Sequence, residues 1–245
     1  MQKIKKYLNK KWALLLWVFA ISMCHLNLNA QSIQINAGSV ISNYQFVSDD
    51  GVKADYLKAG AGNYYAISSD FQLLDTTKFL SSTSQKSFYY SKHRSLATFL
   101  SRTDWSLGIE SLQLNAVGDV YNQAFNYQTS YLGLNTGLKY QQPLGGGWYF
   151  GIGGKVSGLK ILQGNQELLG TYRDLTKDEN FNSIKLGLGW EISFGKKVSP
   201  SLNSFISFSK INTIAPVKSG VSTLNFNNSM FSIGLKFNVT KSQTF

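Results

Sequence analysis

Few side chains in this sequence could carry out catalysis. The chain contains two histidines, His25 and His93, and one cysteine, Cys24. His93 lies between Ser91 and Ser95, and a serine beside a histidine is an arrangement that can activate a hydroxyl nucleophile, as in lipid-modifying enzymes. A lone histidine in a polar, serine-rich segment is more often simply solvated, and so few histidines and cysteines argue against a zinc site. We therefore predict that the protein is not an enzyme and holds no metal.

A glycine-rich stretch at 151–158, which includes Lys155, superficially resembles a nucleotide-binding loop. Such loops follow a strand and open a helix. These glycines instead lie inside the alternating pattern of a strand, and glycine also suits the crowded interior of a narrow closed sheet. We therefore predict no cofactor.

The first thirty residues have the features of a secretory signal peptide. Five lysines precede an apolar run from Trp12 to Met23, and a short polar stretch then ends at Ala30. The run is shorter than the roughly twenty residues that span a bilayer, which disfavours a membrane anchor. Met23 is a poor fit before a lipid-bearing Cys24, which disfavours a lipoprotein. The predicted domains are a cleaved signal peptide, 1–30, and one folded domain, 31–245.

Removal of the predicted signal changes what the net charge implies. The loss of its five lysines lowers the formal charge from +11 to +6. A modest excess spread over loops is ordinary for a secreted protein, so we predict no nucleic-acid partner. The remaining chain would contain no cysteine, which excludes disulfides.

Strict alternation of apolar and polar residues is the clearest structural signal. From Ile184 to Phe194 every even position is large and apolar, and every odd position is small, polar or charged. Similar patterns cover Leu132–Tyr140, Trp148–Ser157 and Phe231–Val239, each with one apolar face, as a strand would have. A soluble β-sandwich would give the same pattern. Together with the signal peptide, the pattern favours an all-β, antiparallel, up-and-down transmembrane β-barrel whose apolar face meets lipid.

The lengths of the connections fit such a barrel. Outer-membrane barrels have short periplasmic turns and longer extracellular loops. We predict short turns at 141–147 and 195–200, and long connections at 115–129, 163–180 and 211–228. Eight strands fit the length of the chain, and aromatic residues such as Tyr140, Trp148 and Phe194 lie toward strand ends, as rings at the headgroup layer do.

The first half of the predicted domain is less regular. Strands are expected at about 33–46, 57–74 and 105–116, with a bulge between Ile109 and Leu112, where the apolar face switches. The segment 75–104 lies where a short turn would be expected. It contains either a small helix at 93–100 or two more strands, so ten strands remain an alternative.

Charged residues fall on the predicted inner face of the barrel. They are Glu110, Lys139, Lys155, Lys185, Glu191 and Lys236. Charges of both signs inside a narrow barrel should pair, because an unpaired buried charge is very costly. The interior of an eight-stranded barrel is just filled by its side chains, so we predict a plug of ion pairs. The alternative is a small-solute channel. Because the predicted inner face has four lysines and two glutamates, such a channel would prefer anions.

One hairpin carries a resemblance to a known family. Its first strand ends in Leu138-Lys139-Tyr140, and after the turn a glycine-rich strand opens with Trp148-Tyr149-Phe150. This hairpin, with the signal ending at Ala30 and the terminal Phe245, resembles the outer-membrane β-barrel domain family of Bacteroidota, in particular its PorT-like members. Asn135-Thr136 stand where many members of that family have a proline. The resemblance implies an eight-stranded barrel and no single activity, although some relatives serve protein secretion.

These observations predict an integral protein of the outer membrane with a structural or interaction role, for example in a secretion or surface assembly. Its partners would be outer-membrane lipid and, during biogenesis, the barrel-assembly machinery, for which Phe245 would be a recognition signal. Two segments, 121–127 and 161–180, combine aromatic, amide and charged side chains that could contact a protein or a glycan. Solvated loops without a fixed ligand are the alternative.

Overall fold

The structure, a computed structural model, describes residues 32–74, 94–120, 123–168, 170–214 and 222–239. Most of them lie in strands: β1 Ser32–Val47, β2 Leu57–Gln72, β3 Thr103–Val120, β4 Gln123–Gly145, β5 Trp148–Leu168, β6 Thr171–Asp174, β7 Lys185–Ser199, β8 Leu202–Ile214 and β9 Thr223–Asn238. Helix α1 covers Arg94–Ser101, a 3-10 turn covers Leu175–Lys177, and helix α2 covers Glu179–Asn182. Within these residues, no helix is both long and apolar enough to cross a membrane.

The long strands form a closed antiparallel barrel. Each pairs with its neighbours in the chain, β5 pairs with β7, and β9 returns to pair with β1 from Ser32↔Asn238 to Val47↔Thr223. The short β6 pairs with β5 alone among the described strands and is not part of the ring. The ring contains eight strands within the described part of the chain. The predicted eight-stranded, up-and-down antiparallel barrel is therefore confirmed.

The barrel has two different ends. We call the end where β1 begins and β9 ends the base, and the opposite end the mouth. At the base, β4 and β5 are joined through Gly146-Gly147, and β7 and β8 through Pro200-Ser201. Gly145, Gly146 and Gly147 have φ angles of 93°, 58° and 81°, which residues with a side chain rarely adopt, so this hairpin depends on glycine. Both predicted short turns are present but shorter than predicted, because residues 141–145 belong to β4 and residues 195–199 to β7.

The predicted long connections at 115–129, 163–180 and 211–228 are largely strand, so their predicted lengths are wrong. Residues 115–120 and 123–129 continue β3 and β4, and residues 163–168 continue β5. Likewise, 211–214 belong to β8 and 223–228 to β9. The outward residues of these segments are polar, which suggested loops. The strands nevertheless remain paired toward the mouth, beyond the apolar part of the outer surface.

The predicted bulge between Ile109 and Leu112 is also wrong. The pairing of β3 with β4 runs without a register shift from Thr103↔Tyr140 to Val120↔Gln123. The apolar residues change parity there because the environment changes: Ile109 faces outward and is exposed, whereas Leu112 and Leu114 face the lumen and are buried. Toward the base the outer face is apolar and the lumen polar, and toward the mouth this polarity is reversed.

The outward side chains toward the base form a continuous apolar belt. On β9 the belt comprises Phe231, Ile233, Leu235 and Phe237, all exposed, and β7 contributes Leu186, Leu188, Trp190, Ile192 and Phe194. Cross-strand pairs such as Ile206↔Ile233 and Ile152↔Ile192 carry it from strand to strand. Aromatic rings pair at its lower edge, with Trp148 stacked on Phe194 at 5.0 Å and Phe99 of α1 stacked on Tyr140 at 5.2 Å.

Candidate functional site in the barrel lumen

The lower half of the lumen contains a layer of charged side chains. Its members, which we call the ionic layer, are Asp70, Asp104, Glu110, Lys139, Lys155, Glu191 and Lys236. Inward parity on six different strands places them there. Because a buried charge is stable only with a counter-charge and hydrogen bonds, the pairing within this layer decides whether the barrel tolerates it.

Two lysine–glutamate pairs connect the middle strands. Lys139 Nζ lies 2.5 Å from Glu191 Oε1, joining β4 to β7. Lys155 pairs with Glu110 and also donates to the Tyr64 hydroxyl at 3.3 Å, joining β5 to β3 and β2. The Glu110 side chain is completely buried.

A third group of charged side chains joins the last strand, β9, to β2 and β3. Lys236 Nζ lies 2.9 Å from Asp70 Oδ2 and 2.7 Å from Asp104 Oδ2, so β9 is bound to β2 and β3. Neither aspartate was predicted from the sequence to face the lumen. Asp104 falls within a segment that lacked a strand pattern, and Asp70 lies near the end of a strand whose parity was not assigned.

The two aspartates change the charge balance of the lumen. The ionic layer contains three lysines and four carboxylates. The expected excess of positive charge is therefore wrong for this layer, and with it the argument for an anion preference.

Lys185 faces inward but lies apart from these ion pairs. Its Nζ donates to the carbonyl oxygen of Leu224 at 2.9 Å and lies 6.0 Å from the centre of the Phe226 ring. This lysine is at the mouth end of β7, where the neighbouring lumen residues are apolar. Its surroundings differ from those of the other five charged residues predicted to face the lumen, because it lies nearer the mouth, where the lumen is apolar.

Glycines opposite the charged residues provide the space for them. A Cβ atom on Gly133 would lie 2.5 Å from the Leu159 side chain and 3.0 Å from Glu110 Cγ. One on Gly153 would lie 2.7 Å from the carbonyl oxygen of Leu138 and 3.4 Å from Lys139 Cβ. Residues 151–158 belong to β5, so this glycine-rich stretch is part of the barrel wall.

Above the ionic layer, apolar side chains fill the lumen. This apolar plug consists of buried, inward-facing residues of seven strands and two residues of the mouth segment 170–184: Val40, Tyr44, Tyr64, Leu112, Leu114, Ala116, Tyr131, Leu159, Ile161, Ile211, Leu224, Phe226, Met230, Leu175 and Phe181. Tyr44 packs edge-on against Phe226 with a centroid distance of 4.8 Å, and its hydroxyl lies 2.8 Å from Thr129 Oγ1 and donates to the Leu114 carbonyl. The polar atom of this buried ring is thus satisfied.

The mouth segment folds over the plug and is held by local caps. The carboxylate of Asp174 accepts a hydrogen bond from the Thr176 amide at 2.9 Å, and that of Asp178 accepts one from the Asn180 amide at 2.9 Å. Hydrogen bonds from the Thr176 side chain and backbone lower the pKa of Asp174 below its usual value. These caps turn Leu175 and Phe181 toward the lumen, where both are buried.

The lumen therefore has no continuous passage through the part of the barrel that the structure describes. The space among the ion pairs has a volume of about 50 Å³. That is enough for very few water molecules. Above it, Leu112, Tyr131 and Phe226 are almost fully inaccessible to solvent.

Several predicted sites lie outside the described residues. They include the signal peptide, His93 with Ser91, and Phe245; Ser95 lies in α1. The described residues contain no group of three or more histidine, cysteine, aspartate or glutamate side chains placed to hold a metal ion.

No family model matches the sequence. No curated protein matches it either. Several solved structures are similar in fold. Neisserial surface protein A is 10% identical over 84% of this chain and 98% of its own, with a TM-score of 0.45. The outer-membrane protein OprG of Pseudomonas aeruginosa is 15% identical over 86% and 97%, with a TM-score of 0.41. The outer-membrane protease OmpT of Escherichia coli is 10% identical over 86% and 98%, with a TM-score of 0.29. These similarities concern architecture alone.

Proposed function

We propose that the protein is an integral outer-membrane β-barrel with a closed lumen and a structural or interaction role. The observation that carries this proposal is the apolar belt. It surrounds the barrel, ends in aromatic rings at the base, and on β1 and β9 gives way toward the mouth to outward amides, Asn43 and Asn227. In water such a belt would be a large exposed apolar surface, whereas in a bilayer it is solvated by lipid.

The filled lumen supports an interaction role over conduction. A small-solute channel needs a hydrated path through the lumen. Here the ionic layer fills the base half of the lumen and the apolar plug fills the mouth half. The filled lumen also argues against catalysis there, because the charged side chains of the ionic layer are engaged in ion pairs. The mouth, covered by residues 170–184, is then the functional surface, facing a protein or glycan partner outside the cell.

The resemblance of the Tyr131–Lys155 hairpin to PorT-like barrels of Bacteroidota supports the same proposal and points to a surface or secretion assembly. Assembly in the membrane would use the barrel-assembly machinery, with Phe245 as its signal.

Membrane fractionation with a heat-modifiability gel tests the location. The mature chain should be recovered with outer membranes and migrate faster before boiling than after it, because a closed barrel resists detergent. A soluble chain without a shift would contradict the proposal and favour a periplasmic β-sandwich. Planar bilayers test the closed lumen: steady conductance by the purified barrel would favour the channel.

A further inference from the structure

The mouth contains a cavity that the barrel architecture does not require. It has a volume of about 160 Å³ and lies between the rim of the barrel and the mouth segment. Its walls include five aromatic rings, those of Tyr44, Phe46, Tyr56, Tyr127 and Phe181. They also include polar side chains from β5 and the mouth segment, among them Gln166, Arg173 and Asp178.

The aromatic wall is held in place by contacts among its own rings and with the strands behind them. Tyr127 stacks on Phe181 with a centroid distance of 5.8 Å and an interplanar angle of 18°. Tyr44 lies 5.8 Å from Tyr127, and its hydroxyl is fixed between Thr129 and the Leu114 carbonyl. A ligand would thus meet a largely preformed apolar wall, which reduces the entropy lost on binding.

The polar wall presents both donors and acceptors. Arg173 Nη2 lies 3.1 Å from Asp178 Oδ2, and Gln166 Nε2 donates to the Tyr127 hydroxyl at 3.1 Å. Within the described residues, these contacts leave the Gln166 carbonyl oxygen and the other guanidinium N–H groups of Arg173 without a protein partner. The charges of Arg173 and Asp178 offset each other, so the cavity favours a neutral ligand with several hydroxyl groups.

The size of the cavity limits the ligand to one ring. An apolar cavity of about 150 Å³ accommodates a single six-membered ring such as benzene. A purely apolar ring would displace water from the half-buried Gln166 and Asp178 side chains without replacing its hydrogen bonds, which is costly, although Arg173 remains largely exposed. A pyranose satisfies both walls, because its C–H face can pack on the aromatic rings, whose faces are electron-rich, while its hydroxyls bond to Gln166, Arg173 and Asp178.

We propose that this cavity binds one neutral pyranose ring of a surface glycan. The inference rests on the proposed function in one respect: the mouth must face the outside of the cell. The ring could belong to the lipopolysaccharide of the same membrane or to a glycan brought from outside, and the chemistry of recognition is the same for both.

Binding can be measured on the purified barrel in detergent by saturation-transfer NMR with a panel of neutral methyl pyranosides. At least one should bind. Arg173→Ala and Gln166→Ala should each weaken its affinity tenfold or more. Lys177→Ala is the matched control, since this cation lies on the same segment, is highly exposed and pairs only with Asp174 among the described residues. It should bind like the parent. A retained heat-modifiable shift shows that each variant is folded.

Three results would overturn the proposal: no binding of any methyl pyranoside, equal losses in Arg173→Ala and Lys177→Ala, or stronger binding of an apolar ring such as toluene. A barrel that is absent from the outer membrane would refute the proposed function without affecting this assay. The source of the ring is tested in vesicles that contain lipopolysaccharide. If the methyl pyranoside no longer binds there, the membrane's own glycolipid occupies the cavity, and if it still binds, the glycan comes from outside.

Discussion

Glu110 and Lys155 show how single residues decide whether the lumen is stable. Glu110 is completely buried, and among the described residues its carboxylate is the only acidic partner of Lys155. Removal of one partner of a buried pair leaves an uncompensated charge in a medium that solvates it poorly. The two residues are therefore expected to be strongly coupled in their effect on stability.

We predict that Glu110→Gln lowers the free energy of unfolding by about 3–5 kcal/mol, measured by urea denaturation in lipid vesicles. Glu110→Gln combined with Lys155→Met removes both charges and should recover most of the loss. Lys185→Met is the matched control, because this lysine has no acidic partner among the described residues and loses a hydrogen bond to a carbonyl and a contact with the Phe226 ring, at a cost of about 1–2 kcal/mol. A double variant as unstable as the single one would show that the two charges are not coupled.

At the scale of the strands, the reversal of polarity along the barrel axis determined how much could be predicted from the sequence. Ile184–Phe194 was identified correctly because its outer face stays apolar throughout, so one parity describes it. On β3 the apolar residues change from the outer face to the lumen face between Ile109 and Leu112, and this change of parity resembles a bulge in the sequence. For the same reason the mouth ends of the strands resembled loops. Asp70 and Asp104 could not be assigned inward, because no clear parity was available for either position. Their meeting with Lys236 also depends on the register between strands, which sequence alone does not set.

The outer face of β9 tests where the belt ends. Ile233 is exposed within the belt, whereas Asn227, of the same parity on the same strand, pairs with Asn43 and Asn212 of the neighbouring strands. We predict that Ile233→Arg destabilises the barrel in vesicles by about 2–4 kcal/mol and Asn227→Arg by at most about 1 kcal/mol. Equal costs at the two positions would mean that the bilayer does not end between them.

Helix α1 extends the belt at the base. Leu96 and Phe99 are exposed on this helix, Phe99 stacks on the outward Tyr140, and Arg102 donates to Gln142 Oε1 at 2.9 Å, which holds the end of the helix against β4. An amphipathic helix in this position would lie in the headgroup layer with its apolar side chains toward the acyl chains.

We predict that an environment-sensitive fluorophore on Leu96→Cys shifts its emission to the blue in vesicles and is quenched by brominated lipid. The predicted mature chain has no other cysteine, so the label is specific. Val52→Cys is the control: this exposed apolar residue lies in the β1–β2 connection at the mouth and should report water. Quenching at Val52 but not at Leu96 would reverse the assigned orientation of the belt.

For the whole molecule, the two halves of the lumen close the barrel independently. The ionic layer fills the base half with paired charges, and the apolar plug fills the mouth half with side chains of the wall itself. The mouth segment contributes only Leu175 and Phe181 to the plug, while Leu112, Tyr131 and Phe226 belong to strands. The segment is thus a cover on a barrel that is already closed.

We therefore predict that the cover can be removed without opening the barrel. Replacement of residues 170–183 by a short glycine–serine linker, or the double substitution Leu175→Ser and Phe181→Ser, should leave conductance in planar bilayers at the level of the parent, because the residues contributed by the strands still fill the lumen. The heat-modifiable shift serves as the control for folding. Discrete conductance steps in either folded variant would show that the segment gates a pore, and the small-solute channel would then be the better account of the molecule.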